Sequence, residues 1–225
     1  MTMKIYAING SPRKNWNTAT LLQHALEGVR GCLPDASTEL VNLYEHTYKG
    51  CTSCFQCKKL GGSSYGACAI HDGITPLLEE ALHADALIFG SPIYFSDITG
   101  MLKCFLERLL FPCFVYDKDY SSLAPKKLPT AFLYTMNVSH EQMLANRYPE
   151  RLHAMEAFLG HIFGATTLVQ YVTDTCQFSD YSKYKMELFS GAEKTARRET
   201  QFPQDCAHAR ELGSQVAAAI AHPGK

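Results

Sequence analysis

The chain has 225 residues, of which 46% are hydrophobic and 19% charged, and its formal net charge is −1 at pH 7. A chain of this size can bury a large core in one domain without help from disulfides or metals. Its near-neutral charge gives no electrostatic basis for binding nucleic acid or a membrane surface. No apolar stretch approaches the roughly 18–20 residues that a membrane helix requires, and no export signal is evident, so we expect a cytoplasmic protein.

Short apolar segments alternate with amphipathic ones along the chain. The segments that predict buried strands are 4–9, 38–44, 85–92, 129–134 and 165–172. Apolar residues at helical spacing predict a helix capped by Asn17 or Thr18, and further helices over 76–82, 98–109, 140–163 and 203–221. Strands joined by helices imply right-handed crossovers and a parallel sheet covered on both faces. Residues 112–128 and 175–203 interrupt the alternation, and we interpret them as insertions in one domain spanning 1–225.

The loop after the first strand, GSPRKNWNTAT at residues 10–20, has the composition of an anion site. The start of the following helix offers free N–H groups and a positive dipole end. Ser11 and Thr18 can add hydroxyl donors, Asn17 an amide donor and Arg13 a two-pronged guanidinium. The loop lacks the motifs of triphosphate and dinucleotide sites, so the ligand it suggests is a monophosphate. The alternative is an ordinary capped helix with a polar entry loop.

The loop after the third strand, GSPIYFSDITG at residues 90–100, would form the other wall of the same crevice. In open parallel sheets, ligands bind outside the carboxyl ends of strands where the strand order reverses. Pro92 fixes one backbone angle, and Ile93, Tyr94 and Phe95 offer a surface for a flat heteroaromatic ring. The alternative is that these aromatic side chains belong to the core.

Four of the nine cysteines lie close together in the sequence. Cys51, Cys54 and Cys57 form CTSCFQC, and Cys68 follows after ten intervening residues. In a reducing compartment, clustered cysteines are more often ligands or redox groups than disulfides. Three interpretations stay open: a [4Fe–4S] cluster, a structural zinc ion, or free or disulfide-prone thiols on a loop. The other five cysteines are scattered and are expected to be thiols without a chemical role.

Together these motifs resemble the NADPH-dependent FMN reductase family, and more narrowly its iron–sulfur flavoprotein branch. The resemblance rests on GSPR…NT, CxxCxxC, GSPIYF followed by TGMLKCFLER, and FPQDCAHARELG near the end. It implies a flavodoxin-like three-layer α/β sandwich with a five-stranded parallel sheet of order 2-1-3-4-5. Trp16 departs from the pattern, because it stands where the family usually has glycine, and its indole could cover the phosphate.

The resemblance also implies a set of residues for a bound flavin mononucleotide (FMN). Its phosphate would be held by Ser11, Arg13, Asn17 and Thr18. Its isoalloxazine ring would be lined by Pro92, Ile93, Tyr94 and Phe95, and the third flavin loop would be Thr135, Met136 and Asn137. No catalytic side chain is predicted, because the flavin itself carries the redox chemistry.

The function implied is an FMN-dependent oxidoreductase that passes electrons from NAD(P)H to a flavin, a quinone or another acceptor. The alternative is an electron carrier of the iron–sulfur flavoprotein type that exchanges electrons with protein partners. The expected partners are thus a small-molecule acceptor or a redox protein. We also expect a homodimer or homotetramer, in which the insertions at 112–128 and 175–203 cover the flavin of a neighbouring subunit.

Overall fold

A single parallel sheet forms the centre of the computed structural model, which describes residues 2–222. Its strands are β1 (Lys4–Asn9), β2 (Ser37–Asn42), β3 (Ala86–Pro92), β4 (Thr130–Thr135) and β5 (Thr167–Val172). They lie in the order β2-β1-β3-β4-β5, and every neighbouring pair is parallel. The predicted flavodoxin-like order is confirmed. The order reverses between β1 and β3, so the carboxyl ends of these two strands flank the expected ligand crevice.

Helices cover both faces of this sheet. They are α1 (Asn17–Cys32), α2 (Thr75–Leu82), α3 (Gly100–Leu110), α4 (His140–Ala145), α5 (Tyr148–Phe163), α6 (Gly191–Thr200) and α7 (Phe202–Ala221). Short 3-10 turns occur at Leu43–Glu45, Gln56–Lys58, Phe111–Cys113 and Tyr181–Lys183. Within the described part of the chain, no helix combines the length and the apolar character needed to cross a bilayer.

Alternating side chains of the strands divide the core into two layers. In β1, Ile5 and Ala7 pack with α1 and α7, whereas Tyr6 and Ile8 pack in the layer that holds α2, α3 and α5. Successive side chains of a strand point to opposite faces, so a strand covered on both sides must be apolar throughout. This requirement explains why the central strands appear in the sequence as continuous apolar segments.

Two glycines set the distance between α1 and α7. A Cβ atom built on Gly28 would lie 1.9 Å from the carbonyl oxygen of Arg210, and one on Gly213 would lie 1.9 Å from that of Ala25. Neither helix could approach the other so closely with a larger residue at these positions. The contact fixes α7 across α1, whose first turn borders the crevice.

The helix predicted over 140–163 is two helices. Arg147 adopts a left-handed conformation with φ of 55° and separates α4 from α5. A continuous helix would need the nitrogen of Pro149 to donate to the carbonyl of Ala145, and proline has no N–H to donate. The chain therefore stops after α4 and restarts with Pro149 in the first turn of α5.

The segment 175–203, interpreted from the sequence as an insertion without a clear apolar period, contains α6. Ser190 caps this helix by accepting a hydrogen bond from the backbone N–H of Glu193 at 3.3 Å. Its sequence, GAEKTARRET, has no apolar stripe, and its one buried side chain is that of Lys194. Polar contacts therefore hold this helix to the rest of the fold, which is why apolar periodicity missed it.

The division into one domain with two insertions stays a prediction.

Candidate functional site

The loops that follow β1, β3 and β4 meet in one cleft at the carboxyl edge of the sheet. Gly10 N donates to the carbonyl of Gly90 at 2.8 Å, and Ile93 N donates to the carbonyl of Thr135 at 2.9 Å. The cleft brings together ten of the predicted flavin-site residues, namely Ser11, Arg13, Asn17, Thr18, Pro92, Ile93, Tyr94, Thr135, Met136 and Asn137. It is also lined by Trp16, whose indole the sequence suggested could cover the phosphate, and by residues that the sequence did not predict, namely Thr175, Cys176 and Gln177.

The first loop is shaped by side chains that accept from its backbone. Asn9, buried at the end of β1, accepts from Ser11 N at 3.0 Å and donates through Nδ2 to Asn42 Oδ1 at 2.8 Å. Ser11 Oγ in turn accepts from Arg13 N at 3.1 Å. The hydroxyl proton of Ser11 remains available to a ligand. Asn9 was not predicted, because its bracing role depends on a contact with β2.

The amino terminus of α1 has no side-chain cap. Its cap position is occupied by Trp16, so the prediction that Asn17 or Thr18 caps the helix is wrong. Asn17 is instead the first helical residue, and the first turn contains no acidic side chain. The N–H groups of this turn and the positive end of the helix dipole are thus free of an internal counter-charge. These are the conditions that an anion needs at a helix start.

Three donors from the first loop converge on two successive carbonyl groups. Trp16 Nε1 and Asn17 Nδ2 donate to the carbonyl oxygen of Cys176 at 3.1 and 2.8 Å, and Arg13 Nη1 donates to that of Gln177. A guanidinium, an indole N–H and an amide also suit the oxygens of a phosphate, but in this structure they bind carbonyl groups of the protein. The monophosphate site at this loop stays a prediction.

The charge beside the cleft is positive. The guanidinium groups of Arg13 and Arg198 lie 5.6 and 4.7 Å from the centroid of the Trp16 ring. Neither arginine forms an ion pair with a carboxylate among residues 2–222, whereas the neighbouring Lys14 is paired with Glu45. Arg198 comes from α6, so sequence reasoning, which missed that helix, could not place it here.

The second loop turns sharply after Ile93. Tyr94 and Asp97 exchange backbone hydrogen bonds of 2.9 and 3.1 Å, and Phe95 and Ser96 between them have φ of 51° and 68°. Positive φ at both central residues is the geometry of a type I′ turn. This turn places Phe95 at the tip, where its side chain is fully exposed and does not line the cleft, unlike the prediction. Tyr94 does line the cleft and remains half exposed.

The third loop presents an unsatisfied acceptor. Thr135 and Met136 are buried, and Met136 N donates to the carbonyl of Val172 at 3.0 Å. The Oδ1 atom of Asn137 is buried and has no hydrogen-bond partner among the described residues. Buried polar atoms are nearly always hydrogen-bonded, so an orphaned acceptor in a cleft indicates a ligand with an N–H or O–H group.

The four clustered cysteines share one neighbourhood without forming a ligand set. Cys51 and Cys54 are exposed, Cys57 is buried and Cys68 is half-buried. Burial raises the pKa of Cys57, Lys58 opposes this shift, and the other three thiols add to it, which reflects their proximity. Within residues 2–222, no three His, Cys, Asp or Glu side chains are gathered so that they could hold a metal ion. The metal role of these cysteines stays a prediction.

The thiol of Cys68 is hydrogen-bonded to a residue outside the cysteine cluster. Its Sγ atom accepts a hydrogen bond of 3.3 Å from Arg108 Nε. Arg108 is itself fixed by bonds to the carbonyl groups of Lys49 and Ile70 and to Asp72. The cysteine predicted as the fourth ligand is thus held by a rigid arginine rather than by its three companions.

Comparison with known proteins gives a family and several relatives. Residues 3–159 match the family described as NADPH-dependent FMN reductase. An iron–sulfur flavoprotein of Archaeoglobus fulgidus is 38% identical over 106 residues, which cover 47% of this chain and 48% of that protein. One from Clostridioides difficile is 37% identical over 123 residues, covering 49% and 52%. The chain therefore spans about half the length of the curated relatives it matches.

The fold is found among solved structures over nearly the whole chain. An NAD(P)H:quinone oxidoreductase from Methanothermobacter marburgensis superposes with a TM-score of 0.67 at 15% identity, covering 96% of this chain and 98% of that one. At that identity the likeness concerns the fold alone. The family match, by contrast, covers the loops after β1 and β3 and the cysteine segment. On this match, the chain belongs to the NADPH-dependent FMN reductase family.

Proposed function

We propose that this protein is an FMN-dependent oxidoreductase that takes electrons from NAD(P)H and passes them to a flavin, a quinone or another acceptor. The family implies FMN as the cofactor and a nicotinamide as the reductant. The observation that carries the proposal is the cleft itself. An uncapped helix start with three converging donors faces an aromatic loop and an orphaned acceptor across one crevice.

The residues present fit FMN. Ser11, Arg13, Asn17 and Thr18 would hold its phosphate at the start of α1. Asn137 Oδ1 would accept from a donor group of the flavin, and Tyr94 would lie against its ring. When bound, FMN accepts a hydride from NAD(P)H and releases the electrons to an acceptor. The protein would bind and orient the cofactor.

The cleft is poor in acid–base groups. None of the residues that line it is a histidine, aspartate, glutamate or lysine. Its titratable side chains, apart from Arg13, are the thiol of Cys176 and the phenol of Tyr94. Such a site suits hydride and electron transfer by a cofactor better than hydrolysis or group transfer.

Ligand preference tests the phosphate site. We expect the protein to bind one FMN without a covalent bond, and to bind riboflavin, which lacks the phosphate, much more weakly. Arg13→Ala should weaken FMN binding by about 1.5–3 kcal/mol, the scale of a hydrogen bond between charged groups. Lys14→Ala is the matched control, because Lys14 adjoins Arg13 but pairs with Glu45. Equal affinity for FMN and riboflavin would remove the phosphate site.

Reduction by nicotinamide tests the activity. Anaerobic mixing with NADPH or NADH should bleach the absorbance of the oxidised flavin, and a quinone or dye acceptor should then sustain turnover. An oxidised spectrum that persists with both nucleotides would contradict the reductase proposal. Rapid reduction by a ferredoxin-like donor in the same sample would favour an electron carrier.

An electron carrier of the iron–sulfur flavoprotein type is the second candidate. It is favoured by the curated relatives of that name and by the shared neighbourhood of Cys51, Cys54, Cys57 and Cys68. Iron and sulfide analysis of anaerobically purified protein tests it. Near-stoichiometric iron that is lost in Cys54→Ala would support the carrier. Metal-free protein with FMN bound and full nicotinamide oxidation would leave these cysteines as thiols on a loop.

We further propose that the chain forms a homodimer or homotetramer. Exposed aromatic side chains cluster around the carboxyl end of α3 and along α5, among them Tyr116, Tyr120 and Phe158. Apolar patches of this kind often mark contacts between proteins. Light scattering should report a mass above that of one chain, and Phe158→Asp should lower it. A wild-type mass equal to that of one chain would contradict the assembly.

A further inference from the structure

Helix α6, which contacts Asn17 and Asn137 in the lining of the cleft, carries three basic residues. Two of them are paired with carboxylates. Lys194 Nζ bonds Asp174 and the carbonyl of Asn137, and Arg197 Nη1 donates to Asp205 Oδ2 at 3.2 Å. These contacts fix α6 against the third loop and against α7. They also neutralise the charges of Lys194 and Arg197 within the protein.

The third basic residue, Arg198, has partners of another kind. Its Nη1 donates to the side-chain Oδ1 of Asn17 at 2.7 Å. Its guanidinium lies 4.7 Å from the ring centroid of Trp16 and 5.2 Å from that of Phe202. Among residues 2–222 no carboxylate pairs with it, in contrast to Arg197 one position earlier. Its positive charge is thus not compensated within the described fold.

The bond from Arg198 fixes the orientation of the Asn17 carboxamide. An arginine offers only donors, so the group that faces it must be the amide oxygen. The amide nitrogen of Asn17 is then turned to the opposite side, where it donates to the Cys176 carbonyl beside the indole N–H of Trp16. Rotation of the carboxamide by half a turn would present its oxygen to the cleft and repel an anion.

We propose that Arg198 is a positioning residue for the phosphate of FMN, which holds the Asn17 amide nitrogen toward the cleft and adds a second positive charge beside Arg13. This inference rests on the proposed FMN site. A phosphate monoester carries a charge of about −1.5 to −2 at pH 7, and two arginines without internal counter-charges balance it. The otherwise unusual position of Trp16 is explained as well, since its ring gives the Arg198 guanidinium a surface to stack on.

The test is the ratio of the affinities for FMN and riboflavin, measured by quenching of flavin fluorescence. Arg198→Ala should lower FMN affinity roughly ten- to a hundredfold and leave riboflavin affinity within about threefold. Arg198→Lys should restore part of the FMN preference through its charge. Glu199→Gln is the matched control, because Glu199 follows Arg198 on the same helix, is exposed and should leave the ratio unchanged.

If Arg198 had a purely structural role, Arg198→Ala would weaken the binding of FMN and of riboflavin equally. That result would overturn the proposal. Coupling to Asn17 gives a second criterion. If Arg198 acts through the amide, the double variant Arg198→Ala/Asn17→Ala should lower the affinity ratio by less than the product of the fold-changes of the two single variants. A double variant whose fold-change equals that product would contradict the positioning role, even if Arg198→Ala alone lowers the ratio.

The outcomes also separate this proposal from the proposed function. Wild-type protein that shows no preference for FMN would contradict the phosphate site itself. A wild-type preference that is lost in Arg13→Ala but retained in Arg198→Ala would leave the FMN site standing and overturn only the role of Arg198.

Discussion

The side-chain hydroxyl groups of Thr18 and Thr135 lie 2.9 Å apart in a buried contact between residues 117 positions apart. Thr18 belongs to the first turn of α1, and Thr135 ends β4. The bond therefore ties the proposed phosphate site directly to the third loop, whose Asn137 carries the orphaned acceptor.

Removing one hydroxyl of this pair should destabilise the fold. Thr18→Val leaves the Thr135 hydroxyl buried without a partner, and we expect the free energy of unfolding to fall by about 1–3 kcal/mol. The double variant Thr18→Val/Thr135→Val should cost less than the sum of the single variants, because no unpaired group remains. Urea unfolding of the four proteins measures this coupling. Thr195→Val, on the surface of α6, is the control, and strict additivity would contradict the pairing.

The contact between α1 and α7 predicts opposite effects for two alanine substitutions in one helix. Gly28→Ala would place a methyl group 1.9 Å from a backbone carbonyl oxygen, so the helices must separate. Overpacking of this kind costs about 1–3 kcal/mol or more. A Cβ at Gly31 meets nothing within 4 Å, and Gly31→Ala should stabilise the protein by about 0.5–1 kcal/mol because alanine favours a helix. Thermal unfolding is the measurement, and a shift of the unfolding temperature in the same direction for both variants would contradict this packing.

Much of this fold could be predicted from the sequence because its determinants are local. Each central strand is buried on both faces and so appears as a continuous apolar segment, as in β1 and β3. The amphipathic helices between them are marked by apolar residues at helical spacing. The strand order came from the resemblance to a family, since parallel pairing leaves no mark in a single sequence.

The errors arose where long-range polar contacts decide the structure. Asn17 was predicted as a possible cap, but its amide oxygen is bound by Arg198, 181 positions away. Helix α6 buries a lysine instead of an apolar face, so its sequence gives no periodic signal. Phe95, predicted in the flavin site from its place in the motif, is exposed for a local reason instead, the turn that pairs Tyr94 with Asp97.

Thiol reactivity should follow the burial of the cysteines. Cys51, Cys54 and the distant Cys32 are exposed and should react with iodoacetamide at pH 8 in native protein. Cys113 is buried, which raises its pKa to about 11, so it should react only after unfolding. Peptide mass spectrometry reads each site separately. Equal labelling of Cys113 and Cys54 in native protein would contradict the structure.

The same labelling reports on the loop in anaerobically prepared protein. If Cys51 and Cys54 bind a metal or a cluster there, both should be protected, whereas Cys32 reacts as before and serves as the internal control. Protection that disappears after treatment with a chelator or with air would identify the loop as a metal site. Unchanged reactivity of both thiols would show that they are free.

The ion pair between Arg108 and Asp72 should dominate the acid sensitivity of this region. The Arg108 side chain is 0% exposed, and its Nη1 lies 2.6 Å from Asp72 Oδ2. Partial burial raises the pKa of Asp72, but the hydrogen bond and charge of Arg108 outweigh this and lower it below its usual value. Folding therefore favours the carboxylate form. The resulting stabilisation is fully present above the unfolded pKa of about 3.9 and is lost as the pH falls through the lower folded value.

Neutralising the carboxylate leaves the guanidinium of Arg108 buried without a counter-charge. Asp72→Asn should lower the free energy of unfolding at pH 7 by about 3 kcal/mol. The difference from wild type should narrow as the pH falls below about 4, because the Asp72 carboxyl of the unfolded wild type then binds a proton that the folded protein takes up only at lower pH. Glu187→Gln is the control, since Glu187 pairs with Lys185 on the surface and should contribute less than about 1 kcal/mol. Urea unfolding between pH 3 and pH 7 is the measurement, and a difference between Asp72→Asn and wild type that is constant over this range would refute the pairing as the source of stability.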